Sequence, residues 1–184
     1  MSAYQIGFRP VREEDLPRVA GWLGQPHVAK WWCEPSELAQ VREKYLPCID
    51  GRDPTELFLI EADGEPVGFI QRYLMSDNPE WVRSLAATGA EDAARSAGID
   101  YLIGDVALTR KGIGSAAIKE FTELTLRRYP EAVSLLVDVS QDNVASWRAL
   151  EHAGYTRCWA GEIESPEPSD EGPSYLYRKR RGSA

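Results

Sequence analysis

The pattern of apolar and polar positions in the first half of the chain predicts short helices and strands in alternation. Apolar residues recur at helical spacing in residues 12–24 and 36–47, which predicts two helices joined by an irregular connection. A short strand over residues 4–10 precedes them. Two runs of β-forming residues then flank Asp63 and Gly64, and an Asp-Gly pair between such runs is typical of a tight hairpin.

The second half continues the alternation after a polar segment, residues 76–98, which is interpreted as an irregular loop with helical fragments. The elements predicted after it are a buried strand over 99–108, a helix over 114–129, a strand over 132–140, a helix over 143–154 closed by Gly154, and two final strands around the polar loop 163–174. This order predicts a single α/β (α+β) domain over residues 1–184 with a mixed sheet, in which 76–98 and 163–174 are variable loops.

Composition narrows the class of protein. With 43% apolar and 27% charged residues, the chain has the composition of a soluble globular protein, and no apolar run is long enough for a membrane-spanning helix. The N-terminal residues lack the apolar core of a signal peptide, so a cytoplasmic location is expected. Three widely spaced cysteines, Cys33, Cys48 and Cys158, fit reduced thiols better than a disulfide framework. With two histidines and no C-x-x-C pair, no metal site is expected.

The net charge of −8 bears on the partners of the protein. It disfavours nonspecific binding to nucleic acid, whose phosphates attract Lys and Arg. Carboxylates that line a cleft favour cationic ligands, although solubility alone explains an acidic surface. The basic C-terminal residues 178–184 are interpreted as a solvated end.

A basic turn with two glycines, T-R-K-G-I-G at residues 109–114, joins the predicted strand over 99–108 to the following helix. The N-terminus of a helix offers unpaired N–H groups and the positive end of the helix dipole, and glycines let a phosphate approach the backbone closely. The spacing matches neither the Walker loop nor the three-glycine dinucleotide fingerprint. By itself the segment is also compatible with a plain turn.

Residues 109–114 and 143–155 together resemble two motifs of the GCN5-related N-acetyltransferases, the GNAT superfamily. In that family an R/Q-x-x-G-x-G/A loop binds the pyrophosphate of acetyl-coenzyme A, and an N-x-x-A/S-x-x-x-Y-x-x-x-G-F/Y helix holds its pantetheine arm. The chain has both motifs in the family's order, but Thr109 replaces Arg or Gln, and Leu150 replaces the tyrosine that often protonates the departing thiolate.

The resemblance implies an acetyl-coenzyme A-dependent N-acetyltransferase that needs no metal. The implied fold is a mixed, mostly antiparallel sheet, flanked by helices and splayed between its fourth and fifth strands. The residues to which it assigns acetyl-coenzyme A binding are Val106, Ala107, Leu108, Thr109, Arg110, Lys111, Gly112, Ile113, Gly114, Ser115, Asn143, Ser146 and Arg148.

Motifs in the N-terminal half are similar to those of the aminoglycoside 6'-N-acetyltransferases. The segments are "FRPVREEDLPRVAGWLGQPHVAKWWCEP", "EKYLP", "DGEPVGFIQRY" and "GIDYLIG", and the resemblance extends over residues 8–177. The W-L-x-x-P-H-V-x-x-W-W element is shared with acyltransferases that modify hydroxylysine in siderophore synthesis. An acyltransferase for a lysine-like amine is therefore the alternative within enzymes.

An aminoglycoside is a polycation with flat sugar rings, so its site needs carboxylates and aromatic walls. The substrate-binding residues implied by the resemblance are Trp32, Tyr45, Gln71, Trp81, Asp92, Asp100 and Asp138. Core packing is the alternative for any one Trp or Tyr. Trp31 and Trp32 are neighbours that cannot both point inward in regular structure, which weakens that alternative for the pair.

Asp100 is the predicted catalytic residue. The aminoglycoside enzymes carry an aspartate in this element, whereas the siderophore acyltransferases tend to carry a histidine. A carboxylate beside the attacking amine can orient its ammonium form and accept its proton. The alternative is a solvated aspartate at the start of a strand. Asp138 matches an acidic position that receives substrate amines in the family; its alternative, a helix cap, suits Asp142 and Asn143 better.

The predicted chemistry is direct acetyl transfer to a small polycationic amine within a ternary complex, by a monomer or homodimer. Backbone N–H groups of the strand near Val106 to Leu108 are expected to donate to the thioester carbonyl. The cysteines show no base-and-orienter arrangement, so an acetyl-cysteine intermediate is not expected. Because Leu150 removes the usual acid, an acetyl-coenzyme A sensor without turnover is the alternative from another class.

Overall fold

A computed structural model describes residues 4–165 and 167–182, which form seven strands and six α-helices. The strands are β1 (Ile6–Pro10), β2 (Glu56–Ala62), β3 (Glu65–Leu74), β4 (Ser96–Ile103), β5 (Ser134–Ser140), β6 (Thr156–Glu162) and β7 (Pro173–Arg180). The helices are α1 (Leu16–Leu23), α2 (Pro26–Trp32), α3 (Leu38–Ile49), α4 (Pro79–Ala86), α5 (Ile113–Arg128) and α6 (Val144–His152). Pro166 of the predicted loop, and Ser183 and Ala184 of the predicted solvated end, lie outside the described residues.

The strands form one sheet in the order β1-β2-β3-β4-β5-β7-β6. β1 pairs with β2, and β7 with both β5 and β6, in antiparallel register. β4 and β5 are parallel, and their pairing extends over only two residue pairs, Ser96 with Ser134 and Ala97 with Leu135. A mixed, mostly antiparallel sheet that opens between its fourth and fifth strands is thereby confirmed.

The chain divides into two compact units. Unit 1 comprises the described residues of Met1–Gln71 together with Asp100–Ala117, and unit 2 those of Arg72–Ile99 and Ile118–Ala184. Helices α1 and α3 cover β2 and the first half of β3 in unit 1, whereas α4 contributes to a second core cluster with β5 and β7 in unit 2. The single domain expected from the sequence stays a prediction. No helix in the described part of the chain has the length and apolar character to cross a membrane.

The predicted hairpin is confirmed at β2 and β3. The two turn residues Asp63 and Gly64 have φ angles of 53° and 83°. Positive φ at both positions is the signature of the type I' turn, whose twist matches that of the flanking strands.

Three boundaries differ from the prediction. Residues 26–32 form α2 rather than an irregular connection, with Pro26 at the first helical position, where its missing N–H is not needed. Helix α3 continues through Pro47 to Ile49, because a proline in the last turn removes only one intrahelical hydrogen bond. The segment 76–98 contains α4 and the first residues of β4.

The C-terminal basic segment is not simply a solvated end. The Arg181 side chain donates to the carbonyl oxygens of Leu126, Tyr129 and Ala132 at 2.7–2.9 Å. A guanidinium at this place satisfies carbonyls that the end of α5 leaves without a helical partner. The predicted cap at Gly154 is confirmed by its φ of 87° and by the hydrogen bond from Tyr155 N–H to the Leu150 carbonyl.

Candidate functional site

Asp100 lies within β4 rather than at the start of a strand, because β4 begins at Ser96. Its Oδ2 accepts a hydrogen bond of 2.7 Å from Nε2 of Gln71 on β3, and both side chains are half-buried. Gln71 and Phe69 are two residues apart on β3, as are Asp100 and Leu102 on β4, so each pair shares a face of the sheet. Phe69 and Leu102 belong to the core of unit 1, which places the carboxylate at the margin of that core.

Tyr45 is a core residue and not an open wall for a sugar ring. Its side chain is 2% exposed, and its ring packs edge-on against Phe69 with centroids 5.4 Å apart. Its hydroxyl donates to Oε2 of Glu34 at 2.7 Å, and Lys44 Nζ lies 2.7 Å from the other Glu34 oxygen. Burial raises the pKa of Tyr45 well above its usual range, and the nearby carboxylates of Glu34 and Asp100 raise it further. The expected direct contact of Tyr45 with substrate is therefore not supported, although the phenol remains a neutral donor to Glu34.

Both tryptophans of the adjacent pair lie at the end of α2 and are half-buried. Trp32 packs on the core of unit 1, with its ring 5.7 Å from Phe69 in an edge-on arrangement. Lys30 Nζ lies 4.4 Å above the ring of Trp31. Helical geometry turns successive side chains by about 100°, so the two rings occupy different sectors of α2.

The strand that precedes the basic turn ends earlier than predicted, and this changes which N–H groups can donate to the thioester carbonyl. β4 ends at Ile103, and Val106–Leu108 form a single 3₁₀ turn whose N-cap is Asp105. Ala107 N–H donates to the Asp105 carboxylate at 2.8 Å, and Leu108 N–H to the Asp105 carbonyl at 3.0 Å. These two N–H groups are thus already engaged, and the expectation that a strand here presents them to a thioester is wrong.

The basic turn itself has the geometry of an anion cradle. Arg110 has φ of 58° and Gly112 φ of 84°, with Lys111 between them outside the positive-φ region. Such alternation turns successive N–H groups toward one point, as in the concave nests that hold anions. Across the described residues, no protein acceptor is recorded for the N–H groups of 110–115, while Ala116 N–H begins the regular ladder of α5 by donating to the Gly112 carbonyl.

The two glycines of this cradle (residues 110–115) differ in whether the backbone conformation requires a glycine. Gly112 is needed for its positive φ, although a Cβ there would meet no atom within 4 Å. Gly114 has no positive φ, and a Cβ would have only Ile103 Cγ1 near it, at 4.0 Å. The fold therefore does not require a glycine at 114. Open space above free helix-terminal N–H groups fits the pyrophosphate of acetyl-coenzyme A.

In unit 2, Asp138 is half-buried within β5 opposite Leu176 of β7. The cap of α6 is made instead by Asn143, whose Oδ1 accepts from Ser146 N–H at 3.3 Å, as expected from its position. Trp81 on α4 packs against the core cluster of this unit that includes Leu176.

Asp92 forms an ion pair rather than presenting an open carboxylate. Its Oδ1 accepts from Nη2 of Arg178 at 2.8 Å, and the two side chains are only 17% and 15% exposed. This pairing gives Asp92 a structural role in unit 2, and the expected substrate contact is not supported by its surroundings.

The helix of the second motif places its residues differently. Ser146 is half-buried, and Arg148 is exposed with its guanidinium 5.4 Å from the ring of Trp147. Leu150, which replaces the motif tyrosine, is fully buried. Tyr155 does not substitute for it, since its hydroxyl lies 2.6 Å from Thr122 Oγ1 inside the protein. Neither side chain can serve as an acid at the motif position.

No pattern in the sequence indicates three residues that are structurally important. Glu34 bonds Tyr45, Arg178 pairs with Asp92, and His27 Nε2 lies 2.9 Å from the carbonyl oxygen of Ile103. Their partners are 11 to 86 residues away in the chain, so no local pattern reveals them.

The cysteines and other metal-ligating groups form no reactive centre in the described chain. Cys33, Cys48 and Cys158 all lie in that part and are free thiols. Burial raises the pKa of Cys48 to about 11, which disfavours the thiolate that a nucleophile needs. The same described residues contain no group of three or more His, Cys, Asp or Glu that could hold a metal ion.

Several known acetyltransferases are similar to this chain. A family model described as an acetyltransferase (GNAT) domain matches residues 11–163. Aminoglycoside N(6')-acetyltransferase type 1 from Klebsiella pneumoniae is 28% identical over 182 residues, which covers 96% of this chain and 84% of the relative; a protein of the same name from Serratia marcescens matches equally. The solved structure of aminoglycoside acetyltransferase AAC(6')-Ib in complex with coenzyme A has a TM-score of 0.80 at 27% identity, covering 96% of this chain and 95% of that one. Its complex with coenzyme A and kanamycin has a TM-score of 0.79 at 27% identity over the same shares.

Proposed function

Because the chain belongs to the GNAT acetyltransferase family, we propose that it transfers the acetyl group of acetyl-coenzyme A to the 6'-amine of an aminoglycoside, by direct transfer in a ternary complex. The observation that carries this proposal is the half-buried carboxylate of Asp100, held by Gln71 at 2.7 Å within β4. The similarity to aminoglycoside acetyltransferases over nearly the whole chain supports it.

The donor is held in this proposal by the cradle at residues 110–115. Acetyl-coenzyme A supplies an acetyl group activated as a thioester. The free N–H groups of Ile113, Gly114 and Ser115 would bind its pyrophosphate, with the exposed side chains of Arg110 and Lys111 adding positive charge. The other residues assigned to the donor by resemblance stay proposals: Val106, Ala107, Leu108, Thr109, Asn143, Ser146 and Arg148.

The acceptor amine is oriented in this proposal by Asp100. The Gln71 amide fixes the plane of the carboxylate, so that it can receive the ammonium form of the substrate and then its proton. The same negative charge stabilises the ammonium and opposes its deprotonation, which makes orientation the larger contribution. Trp32 lies in the same unit, on α2, and would offer a face to a sugar ring. Trp81 and Asp138 of unit 2 are further proposed contacts.

Release of the thiol proceeds in this proposal without an acid at position 150. Leu150 is fully buried and has no acidic proton to donate, and the Tyr155 hydroxyl is engaged with Thr122. A coenzyme A thiol is acidic enough to depart as the thiolate and take its proton from water. Product release therefore needs no tyrosine.

The proposal is tested by measuring thiol release from acetyl-coenzyme A with kanamycin, tobramycin and lysine as acceptors. Paromomycin, which has a hydroxyl in place of the 6'-amine, is the acceptor control. We expect turnover with kanamycin and tobramycin only. Release with lysine alone would favour the siderophore-type acyltransferase, and binding of acetyl-coenzyme A without any acceptor-dependent release would favour the sensor.

Asp100→Asn keeps the size and the hydrogen-bonding plane of the side chain but removes its charge. We expect kcat to fall about 100-fold, the lower end of general acid–base contributions, while the KM for acetyl-coenzyme A stays the same. The matched control is Glu65→Gln, which removes a charge from an exposed residue at the start of β3. Full activity of Asp100→Asn would remove this carboxylate from the mechanism.

A further inference from the structure

The imidazole of His27 reaches from α2 to the end of β4. Its Nε2 lies 2.9 Å from the carbonyl oxygen of Ile103, the last residue of that strand, and the side chain is half-buried. A carbonyl oxygen can only accept, so Nε2 carries the proton and donates. The hydrogen bond thus defines which ring nitrogen is protonated.

A second side chain holds the next residue. The ring of Trp22, on α1, lies so close to Gly104 that a Cβ at this position would collide with it. Gly104 N–H also donates to the Val67 carbonyl of β3 at 2.9 Å. Ile103 and Gly104 are therefore clamped from α1, α2 and β3 together.

The clamped residues precede the cradle, and residues 105–109 connect the two. Asp105 to Ala107 and Arg110 to Gly112 are exposed, and the chain is next buried at Ile113, which is 1% exposed. The phosphate-facing segment is thus a largely exposed loop between two anchored ends. Binding is stronger when such a loop is held in its bound conformation before the ligand arrives, because less ordering has to occur on binding.

We propose that His27 is a positioning residue for the donor: its hydrogen bond to Ile103 fixes the end of β4, so that the N–H groups of the cradle stay aligned for the pyrophosphate of acetyl-coenzyme A. The inference rests on the donor half of the proposed function and is independent of which amine accepts the acetyl group. It gives the histidine of the P-H-V element a role beside the donor, although the element lies in the N-terminal half of the chain.

Calorimetric titration with coenzyme A of four proteins, the wild type and three variants, tests the proposal. His27→Phe keeps a ring of similar size but removes the N–H, and His27→Gln keeps an N–H donor. Val28→Ala trims a buried neighbour on the same helix, 3% exposed, without touching the hydrogen bond. We expect the Kd for coenzyme A to rise about tenfold in His27→Phe, to stay within about threefold of wild type in His27→Gln, and to be unchanged in Val28→Ala.

Steady-state kinetics and NMR add readouts that a general loss of stability does not move. His27→Phe should raise the KM for acetyl-coenzyme A while leaving the KM for the aminoglycoside unchanged. In wild-type protein, ¹⁵N–¹H correlations of the imidazole should show a proton on Nε2, a measurement that does not depend on any variant folding.

Wild-type affinity in His27→Phe, an equal loss of affinity in Val28→Ala, or a proton on Nδ1 instead of Nε2 would each overturn the proposal. Failure of the proposed function looks different. In that case the wild-type protein and the three variants bind coenzyme A with the relative affinities given above, yet the wild-type protein acetylates no aminoglycoside.

Discussion

Replacing Gly114 by alanine distinguishes an effect on the stability of the fold from an effect on donor binding. A Cβ at this position would have only Ile103 Cγ1 near it, at 4.0 Å, and the residue lies in the first turn of α5. Alanine is a better helix former than glycine by at most about 1 kcal/mol, which for a domain of this length raises Tm by up to about 4 °C. We therefore expect Gly114→Ala to leave the stability of the free protein unchanged or slightly higher.

In the proposed function, the same methyl group would stand where the pyrophosphate approaches the N–H groups. Losing one hydrogen bond to a charged group costs about 1.5–3 kcal/mol, which corresponds to a 10- to 100-fold rise in Kd for coenzyme A. Gly112→Ala is the comparison variant: its φ of 84° makes a side chain cost about 1–2 kcal/mol in the free protein. Thermal unfolding and calorimetric binding of coenzyme A measure both quantities. Wild-type affinity in Gly114→Ala would refute a close approach of phosphate at this turn.

Two further predictions concern stability. Arg178→Met leaves the Asp92 carboxylate, which is 17% exposed, without its guanidinium partner. The free energy of unfolding, measured in urea, should therefore fall by about 2–4 kcal/mol, while the KM for the aminoglycoside stays the same. An unchanged midpoint of urea unfolding would contradict the ion pair. The hydrogen bond from Arg9 holds the pKa of Asp15 below its usual range, against the opposing effect of burial. Because the pKa is lower in the folded state, the ionised carboxylate stabilises the protein at pH values above its unfolded-state pKa of about 3.9. This stabilisation is lost as the pH falls through the folded-state pKa. Asp15→Asn should accordingly destabilise the protein by about 1–2 kcal/mol at pH 7 and by less at pH 3, and a difference that is the same at both pH values would show that the carboxylate charge is not involved.

Local chemistry made several elements predictable. The Asp63-Gly64 turn, the Asn143 cap and the Gly154 cap each depend on residues next to one another in the chain, and the structure has all three. The cradle followed from glycines at a strand-to-helix turn. Its interpretation as a phosphate site rests on the resemblance of two motifs, since periodicity alone is also compatible with a plain turn.

The early end of β4 has its physical cause in a contact between distant residues. β4 ends at Ile103 because Gly104 is pressed against Trp22 and Asp105 then caps a turn. That early end engages the N–H groups of Ala107 and Leu108, which the sequence pattern predicted to be free. No apolar pattern around residue 104 could reveal a ring contributed from α1.

The buried polar pairs were unpredictable for the same reason. Tyr45 has the aromatic side chain expected of a sugar-binding residue, yet its hydroxyl donates to Glu34 and its ring packs in the core. Asp92 has the charge of a substrate ligand, yet Arg178, 86 residues away, pairs with it. Residue type gave the chemistry of these positions, but only the packing decided whether that chemistry faces a ligand or the protein.

The position of the acetyl group on kanamycin is the most direct measurement of the central claim. After incubation of the wild-type protein with acetyl-coenzyme A and kanamycin, two-dimensional NMR of the purified product should show a single acetamide, on the 6'-nitrogen. An acetyl group on another amine, or recovery of unmodified kanamycin while coenzyme A is bound, would contradict the account.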